Sequence, residues 1–368
     1  MKQIAVVIPL YNHAAYVGDA IRSVLAQTRA VDKIVIVDDG STDDSVEIVR
    51  AFAEPRIELY TQPNAGAHAA LNRGIEKAAG CDYIAILNSD DVFARERIFK
   101  CAAFLDETHA IDVVATRLRL IDSAGSEIAF SDPRAKWFAA AWSVHGSQLG
   151  LVEQLGVANF ISSTSNLTGR RAYFLDHPFR HYRYAHDYFF VLDCALHNRL
   201  AVLDDELFSY RVHSKNTISV GPEKLVRELL EMNVDLLDAL APELAASPNL
   251  RRALAAYQRA AWGNVSSFRA DVFVSLVAYV LGEYEARSSR PMKTSYRRCT
   301  RGIQQLIRKG KLEGVAKVSG ERLLWFFLHQ NNILRLDKNS FTRIAVGTDQ
   351  IHANCNLSSL RGATDNGD

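Results

Sequence analysis

Three apolar runs near the start of the chain end abruptly in polar groups. Ile4–Leu10 runs into Tyr11 and Asn12, residues 33–37 into Asp38 and Asp39, and residues 83–87 into Asn88, Ser89, Asp90 and Asp91. Helical patterns lie between and after them at 15–26, 44–52, 67–79 and 93–105. Strand, helix, strand with short connections predicts parallel strands with covering helices. Parallel order brings Tyr11, Asp39 and Asp90 to one edge of one sheet, the carboxyl edge where open α/β sheets bind ligands. An unpaired carboxylate is costly inside a core, so Asp90 and Asp91 belong where the chain leaves the sheet. Two readings fit that pair alone: a helix N-cap, or a cleft that holds a hard cation and, through it, a diphosphate. Three polar strand ends on one edge favour the cleft.

Further along, 112–121 and 127–130 read as strands around the turn 122–125. The stretch 132–155 carries Trp137, Phe138, Trp142 and His145, which suit either a packed surface helix or a mobile aromatic flap over a sugar. Residues 159–171 are rich in Ser, Thr and Asn. There Ser163, Thr164 and Asn166 can either hydrogen-bond sugar hydroxyls or cap a turn. Asp187 opens a helical pattern over 188–197, where the helix N-terminus favours its anionic form.

The pieces Val7-Ile8-Pro9-Leu10-Tyr11-Asn12, Ile36-Val37-Asp38-Asp39-Gly40-Ser41, Asn64-Ala65-Gly66, Asn72-Arg73-Gly74 and Asn88-Ser89-Asp90-Asp91 together resemble inverting family 2 glycosyltransferases with the GT-A fold. Order and spacing agree over about ninety residues, and weaker matches reach residue 217. The resemblance implies a Rossmann-like, mostly parallel α/β domain that binds a nucleotide sugar. Pro9 and Tyr11 would line the base, Asp39 would accept from its N–H, and Asn12, Asn72, Asn88 and Ser89 would complete the nucleotide site. A UDP- or dTDP-sugar is the implied donor. Asp90 would hold a divalent metal, Mn²⁺ or Mg²⁺, and His213 would ligate that metal or contact the diphosphate. Asp187 would be the catalytic base, with Asp91, Ser163, Thr164, Asn166, His186 and Arg211 facing the acceptor or diphosphate. Arg211 could brace Asp187 or a phosphate. The chain departs from the family pattern at Asn88, usually Asp, at Leu71, usually Arg, and at His186, often Glu. An amide at position 88 can still bond a ribose hydroxyl but brings no charge. His68 or Arg73 could replace the contact missing at Leu71.

Composition fits such an enzyme. The chain has 368 residues, 48% apolar, with a formal net charge of +1, which gives no global case for nucleic-acid binding. Five dispersed cysteines lack metal-type spacing and point to reduced thiols. Met1-Lys2 leads straight into the first strand, and the longest later apolar run, 272–281, is too short to span a bilayer. A cytoplasmic protein is expected, with a catalytic domain over 1–220, a helical region over 221–345 and a polar tail over 346–368. Long helical patterns occupy 223–241, 249–262 and 265–285. Residues 287–311 carry nine Lys or Arg and no acid, and an aromatic cluster follows within 320–330. Such a segment can dock peripherally on an anionic membrane, through about 287–328, or be a solvated basic face. The implied acceptor is a glycan or a lipid-linked glycan of a surface polysaccharide. A nucleotidyltransferase would need a Gly-rich phosphate loop after the first strand, which Pro9-Leu10-Tyr11-Asn12-His13 is not. A non-catalytic nucleotide-sugar or glycan-binding protein remains the other class.

Overall fold

Branched apolar residues dominate the first strand, and all seven of its residues are buried, so it lies at the centre of the sheet. The computed structural model describes residues 2–214 except 130 and 134, residue 216, scattered positions in 228–247, and 248–263. The regions 265–285, 287–311, 320–330 and the tail lie outside the described residues, as does most of 223–241.

The first half of the chain alternates β1 (Ile4–Leu10), α1 (Val17–Leu25), β2 (Lys33–Asp38), α2 (Ser45–Arg50), β3 (Ile57–Thr61), α3 (Ala67–Lys77) and β4 (Tyr83–Ile86). The strands pair in parallel in the order β3-β2-β1-β4. Leu10 lies opposite Asp38, and Asp38 opposite Thr61, so the strand ends align. The second half adds β5 (Val92–Phe93), α4 (Arg97–Glu107), β6 (Val113–Ile121), α5 (Lys136–Trp142), α6 (Leu151–Val157), a 3-10 turn at Thr164–Asn166, β7 (Thr168–Arg170), α7 (Arg171–Asp176), α8 (His186–Leu196) and β8 (Leu200–Arg211). It extends the sheet as β4-β7-β6-β8-β5. Here β7 is antiparallel to both neighbours and β5 is antiparallel to β8. The eight-stranded sheet is therefore parallel on one side and mixed on the other.

Two expectations change. Of the expected strand over 127–130, the described residues 127–129 form none; Glu127 makes an isolated bridge to Ile121, because the chain turns back for one rung only. Phe93 does not begin a helix, because pairing of Val92 and Phe93 with Ser209 and Phe208 claims those residues first. Helix α4 starts four residues later.

Close packing fixes the helices. At Gly74 an added Cβ would lie 2.4 Å from Val7 Cγ1, so only glycine lets α3 approach β1 this closely. Each fully buried Val or Ile of β1 and β2 contributes roughly 1.5–3 kcal/mol. Arg97 is a fully buried cation held between the rings of Phe93 and Phe208, with Thr116 Oγ1 at 2.9 Å. Cys81, Cys101 and Cys194 are buried free thiols, and burial pushes each of them up in pKa.

The chain divides into compact units at Met232/Asn233. In the second, α9 (Pro248–Gly263) contributes Leu250, Leu254 and Tyr257 to a buried set, and the Tyr257 hydroxyl donates to Asn233 Oδ1 at 2.9 Å. Among the described residues no helix is long and apolar enough to cross a membrane.

Candidate active site

The ends of β1, β2 and β4 meet as their register requires. Asn12 adopts φ 53°, and its side-chain oxygen accepts from Thr42 N at 2.8 Å, tying the loop after β1 to the loop after β2. Pro9 is buried in β1, while Tyr11 projects into solvent with 46% of its surface exposed. Asp39 is buried. Its carboxylate accepts from Ala65 N at 2.9 Å, Gly66 N at 2.8 Å and Gln62 Nε2 at 2.7 Å. Those bonds hold the loop that starts α3, where Gly66 takes φ 92°.

The loop after β4 carries the strongest electrostatics. Asp90 Oδ2 lies 3.1 Å from His213 Nε2 and 3.8 Å from His13 Nε2. One ligand atom from each of His13, Asp90 and His213 falls within 4.8 Å of the others. Two imidazoles and one carboxylate form a donor set that suits a divalent first-row metal such as Mn²⁺ better than Mg²⁺, which prefers oxygen. Ser89 Oγ sits 2.7 Å from His13 Nδ1, and Tyr16 stacks on His213 with centroids 4.8 Å apart. Both imidazoles are thereby oriented from behind.

The two adjacent acids are driven apart. Burial opposes ionisation of Asp90, but the hydrogen bond from His213 and the charge of His13 outweigh it, so its carboxyl titrates below the usual range. Burial, then the charge of Asp90, pushes Asp91 well above it. Asp91 is held by Ser165 Oγ at 2.6 Å and Arg211 N at 2.9 Å.

Several expected site residues turn out to have structural partners. Arg211 braces neither Asp187 nor a phosphate site. Its Nε donates to Asp90 O at 2.8 Å, Nη1 to the carbonyls of Asp122 and Ser123, and Nη2 to Asp19. It is fully buried over the Tyr16 ring and clamps the turn that carries both acids. The Asn72 amide exchanges two hydrogen bonds with the Phe179 backbone, at 2.8 and 2.9 Å, rather than facing a nucleotide. Asn166 has no exposed surface, and its side chain bonds Thr116 and Ile161 O, so it cannot reach an acceptor. Ser163 and Thr164 are buried against Asn88: Asn88 Nδ2 donates to Ser163 Oγ at 3.1 Å, and Thr164 Oγ1 donates to Asn88 Oδ1 at 2.8 Å. Arg73 is engaged by Thr61 O and Gln62, while His68 packs on His181 at 4.7 Å. Trp142 packs on Phe138 and Phe160 and lies beside His145.

Asp187 occupies the first turn of α8 and is buried. Its Oδ1 accepts from Tyr188 N at 2.7 Å. Burial raises its pKa, and the neighbouring charge of His186 offsets this only in part. His186 Nδ1 is buried and has no hydrogen-bond partner. Burial, then the charges of Asp91, Asp90 and Asp187, raises the pKa of the Tyr210 phenol, so one hydroxyl feels all three carboxylates. Sequence reasoning missed His13, Tyr16, Ser165 and Tyr210. His13 alone left a signal, as a potential ligand just past a polar strand end.

Comparison with known proteins gives a consistent picture. Residues 5–174 match the family model for glycosyl transferase family 2. An uncharacterized glycosyltransferase of Haemophilus influenzae is 38% identical over 114 residues, covering 30% of this chain and 45% of that protein. The uncharacterized glycosyltransferase alr2836 of Nostoc sp. is 30% identical over 227 residues, covering 58% of this chain and 66% of that protein. The chain thus spans less than half the length of the first relative. The crystal structure of S. aureus TarS superposes with a TM-score of 0.50 at 18% identity, over 84% of this chain and 53% of that one, a likeness of fold.

Proposed function

We propose, from the glycosyl transferase family 2 match over residues 5–174, that the chain is a member of that family and moves a sugar from a UDP- or dTDP-sugar to a hydroxyl of a glycan or lipid-linked acceptor, with inversion, in surface polysaccharide assembly. The observation that carries the reading is the convergence of His13, Asp90 and His213 beyond the parallel strand ends. The exposed Tyr11, at the end of β1, suits the face of a nucleobase, and Asp39, at the end of neighbouring β2, would offer its carboxylate to the base N–H in place of one of its present donors. His13, Asp90 and His213 would hold a divalent cation, Mn²⁺ by preference. When bound it supplies charge neutralisation for a departing diphosphate.

The chain's own residues supply the rest. Asp187 takes the proton of the acceptor hydroxyl as the oxygen attacks the anomeric carbon opposite the diphosphate. A raised pKa makes it a stronger base than an ordinary carboxylate, and burial keeps bulk water from competing. The Arg211 clamp and the Asn88 bonds keep the acidic turn in place while substrate binds. Only one base is needed, because the leaving group departs as a diphosphate without protonation, unlike the two-carboxylate hydrolysis of glycosides.

Calorimetry of UDP binding with and without Mn²⁺ tests the site. His13→Ala and Asp90→Ala should each abolish the Mn²⁺-dependent gain in UDP affinity, while Asp39→Ala should weaken UDP in both conditions. Mn²⁺ dependence equal to wild type in the first two variants would sink the assignment. The neutral Asn88 favours a second reading, a non-catalytic nucleotide-sugar-binding protein. Release of UDP from UDP-glucose or UDP-N-acetylglucosamine by wild type, lost in Asp187→Asn, excludes it.

A further inference from the structure

The segment that brings Asp187 into place lacks local support. Helix α8 has no side-chain cap of its own at Ala185. Yet the three backbone N–H groups just before the helix all point at one carboxylate from elsewhere in the chain. Glu228 Oε2 accepts from Arg183 N at 2.8 Å, and Oε1 accepts from Ala185 N at 2.7 Å and from Tyr184 N. Consecutive N–H groups at a helix start form an anion cradle, and a carboxylate is its natural occupant. Glu228 lies 41 positions beyond Asp187, in the stretch following β8. On the far side of the same loop, the Asn72 amide holds Phe179. The loop between is therefore anchored at two points, one on α3 and one at Glu228.

We propose that Glu228 is a positioning residue: its carboxylate fixes the 183–185 backbone and so sets where Asp187 stands at the acceptor hydroxyl. This rests on the reading of Asp187 as the base. Glu228 touches no reacting atom. It acts by holding the first turn of α8 to the tolerance that proton transfer demands, where a displacement of about 1 Å can cost about 10²-fold in rate. Its negative charge also opposes ionisation of Asp187, while His186 favours it; the phenol of Tyr210 feels the Asp187 carboxylate in turn.

The test uses the full chain, UDP release from UDP-glucose or UDP-N-acetylglucosamine as turnover, and Mn²⁺-dependent UDP affinity as the binding control. Glu228→Gln keeps size and one acceptor oxygen but sets an NH₂ against the Arg183 N–H. Turnover should fall about 10-fold, within the scale of misplaced catalytic groups, while UDP affinity stays within about 2-fold. The acid limb of the turnover profile should move to lower pH, because Asp187 loses a neighbouring anion. Glu228→Asp, which keeps the charge but not the reach, should lower turnover without moving that limb. In an Asp187→Asn background, Glu228→Gln should add no further loss. Equal turnover in Glu228→Gln and wild type, alongside an impaired Asp187→Asn, would overturn the role of Glu228 and leave Asp187 standing. Normal turnover in Asp187→Asn would overturn the base assignment instead. Parallel loss of UDP affinity and melting temperature in both Glu228→Gln and Glu228→Asp would reduce Glu228 to a fold-stabilising cap and refute the proposal.

Discussion

Replacing Asn88 with an aspartate restores the usual acid of this family and should weaken the protein unless metal is present. Asn88 is half-buried, donates through Nδ2 to Ser163 Oγ at 3.1 Å and accepts from Thr164 Oγ1 at 2.8 Å. The Thr164 bond survives in the Asn88→Asp variant. The Nδ2 donor is lost, at a cost of about 1 kcal/mol. A new anion also arises two residues from Asp90, whose side chain is only 13% exposed and whose carboxyl is held ionised. Two unit charges about 6 Å apart repel by about 3 kcal/mol at an effective dielectric of about 20. Partial protonation of the new acid relieves part of this, so a net loss of about 2 kcal/mol is expected at about pH 7 in EDTA. Mn²⁺ should offset the loss: at one free Mn²⁺ concentration well above both Kd values the variant gains over wild type by RT ln of the Kd ratio, so a site about 30-fold tighter returns about 2 kcal/mol. Urea denaturation in EDTA and in Mn²⁺ measures both. If Asn88→Asp unfolds at the wild-type urea concentration in EDTA, the acidic turn does not carry this charge density.

Asp187→Asn should cut turnover by about 10²-fold or more, the usual scale for a general base, while raising stability near neutral pH. Burial lifts the folded pKa above the unfolded value of about 3.9. The ionised form therefore costs stability above the folded pKa, and the cost fades as pH falls and the folded state takes up the proton first. The melting-temperature advantage of the Asn variant should thus be largest at about pH 7–8 and shrink toward about pH 4; an advantage independent of pH would contradict the burial argument. Gly74→Ala gains about 1 kcal/mol of helix propensity but drives a Cβ to 2.4 Å from Val7 Cγ1, so it should destabilise overall. In a Val7→Ala background its penalty should shrink by about 1 kcal/mol or more; purely additive effects would mean that this contact does not set the approach of α3 to β1.

The parts of the site legible in the sequence are those fixed by local pattern. An apolar run followed by acids forces a strand to end at a polar edge, so β1, β2 and β4, and the placement of Asp39 and Asp90, follow from residues within one element. Strand β8 leaves no such signature. Its centre is interrupted by Asp204, Asp205 and Glu206, two of them exposed, and its register against β6 shifts at Arg117. Two-residue β5 is created by its partner and has no pattern of its own.

The misassigned polar residues share one cause: their partners are distant in sequence. Asn72 meets Phe179 across 107 positions, Asn166 meets Thr116 across 50, and Arg211 meets Asp90 across 121. A polar side chain near a cleft reads as a ligand group until the backbone it satisfies is known. Buried amides and carbonyls must be paired, and a side chain spent on that pairing is removed from the pool available to substrate. His13 shows the converse. In the sequence it is a loop residue after Asn12, yet the fold brings it to Asp90 and His213, side chains separated from it by 77 and 200 positions. This cluster is assembled by topology: the loops after β1, β4 and β8 bring together side chains that no sequence window contains. The neutral Asn88 fits this setting: another anion two residues from the ionised Asp90 adds repulsion that a bound cation would offset.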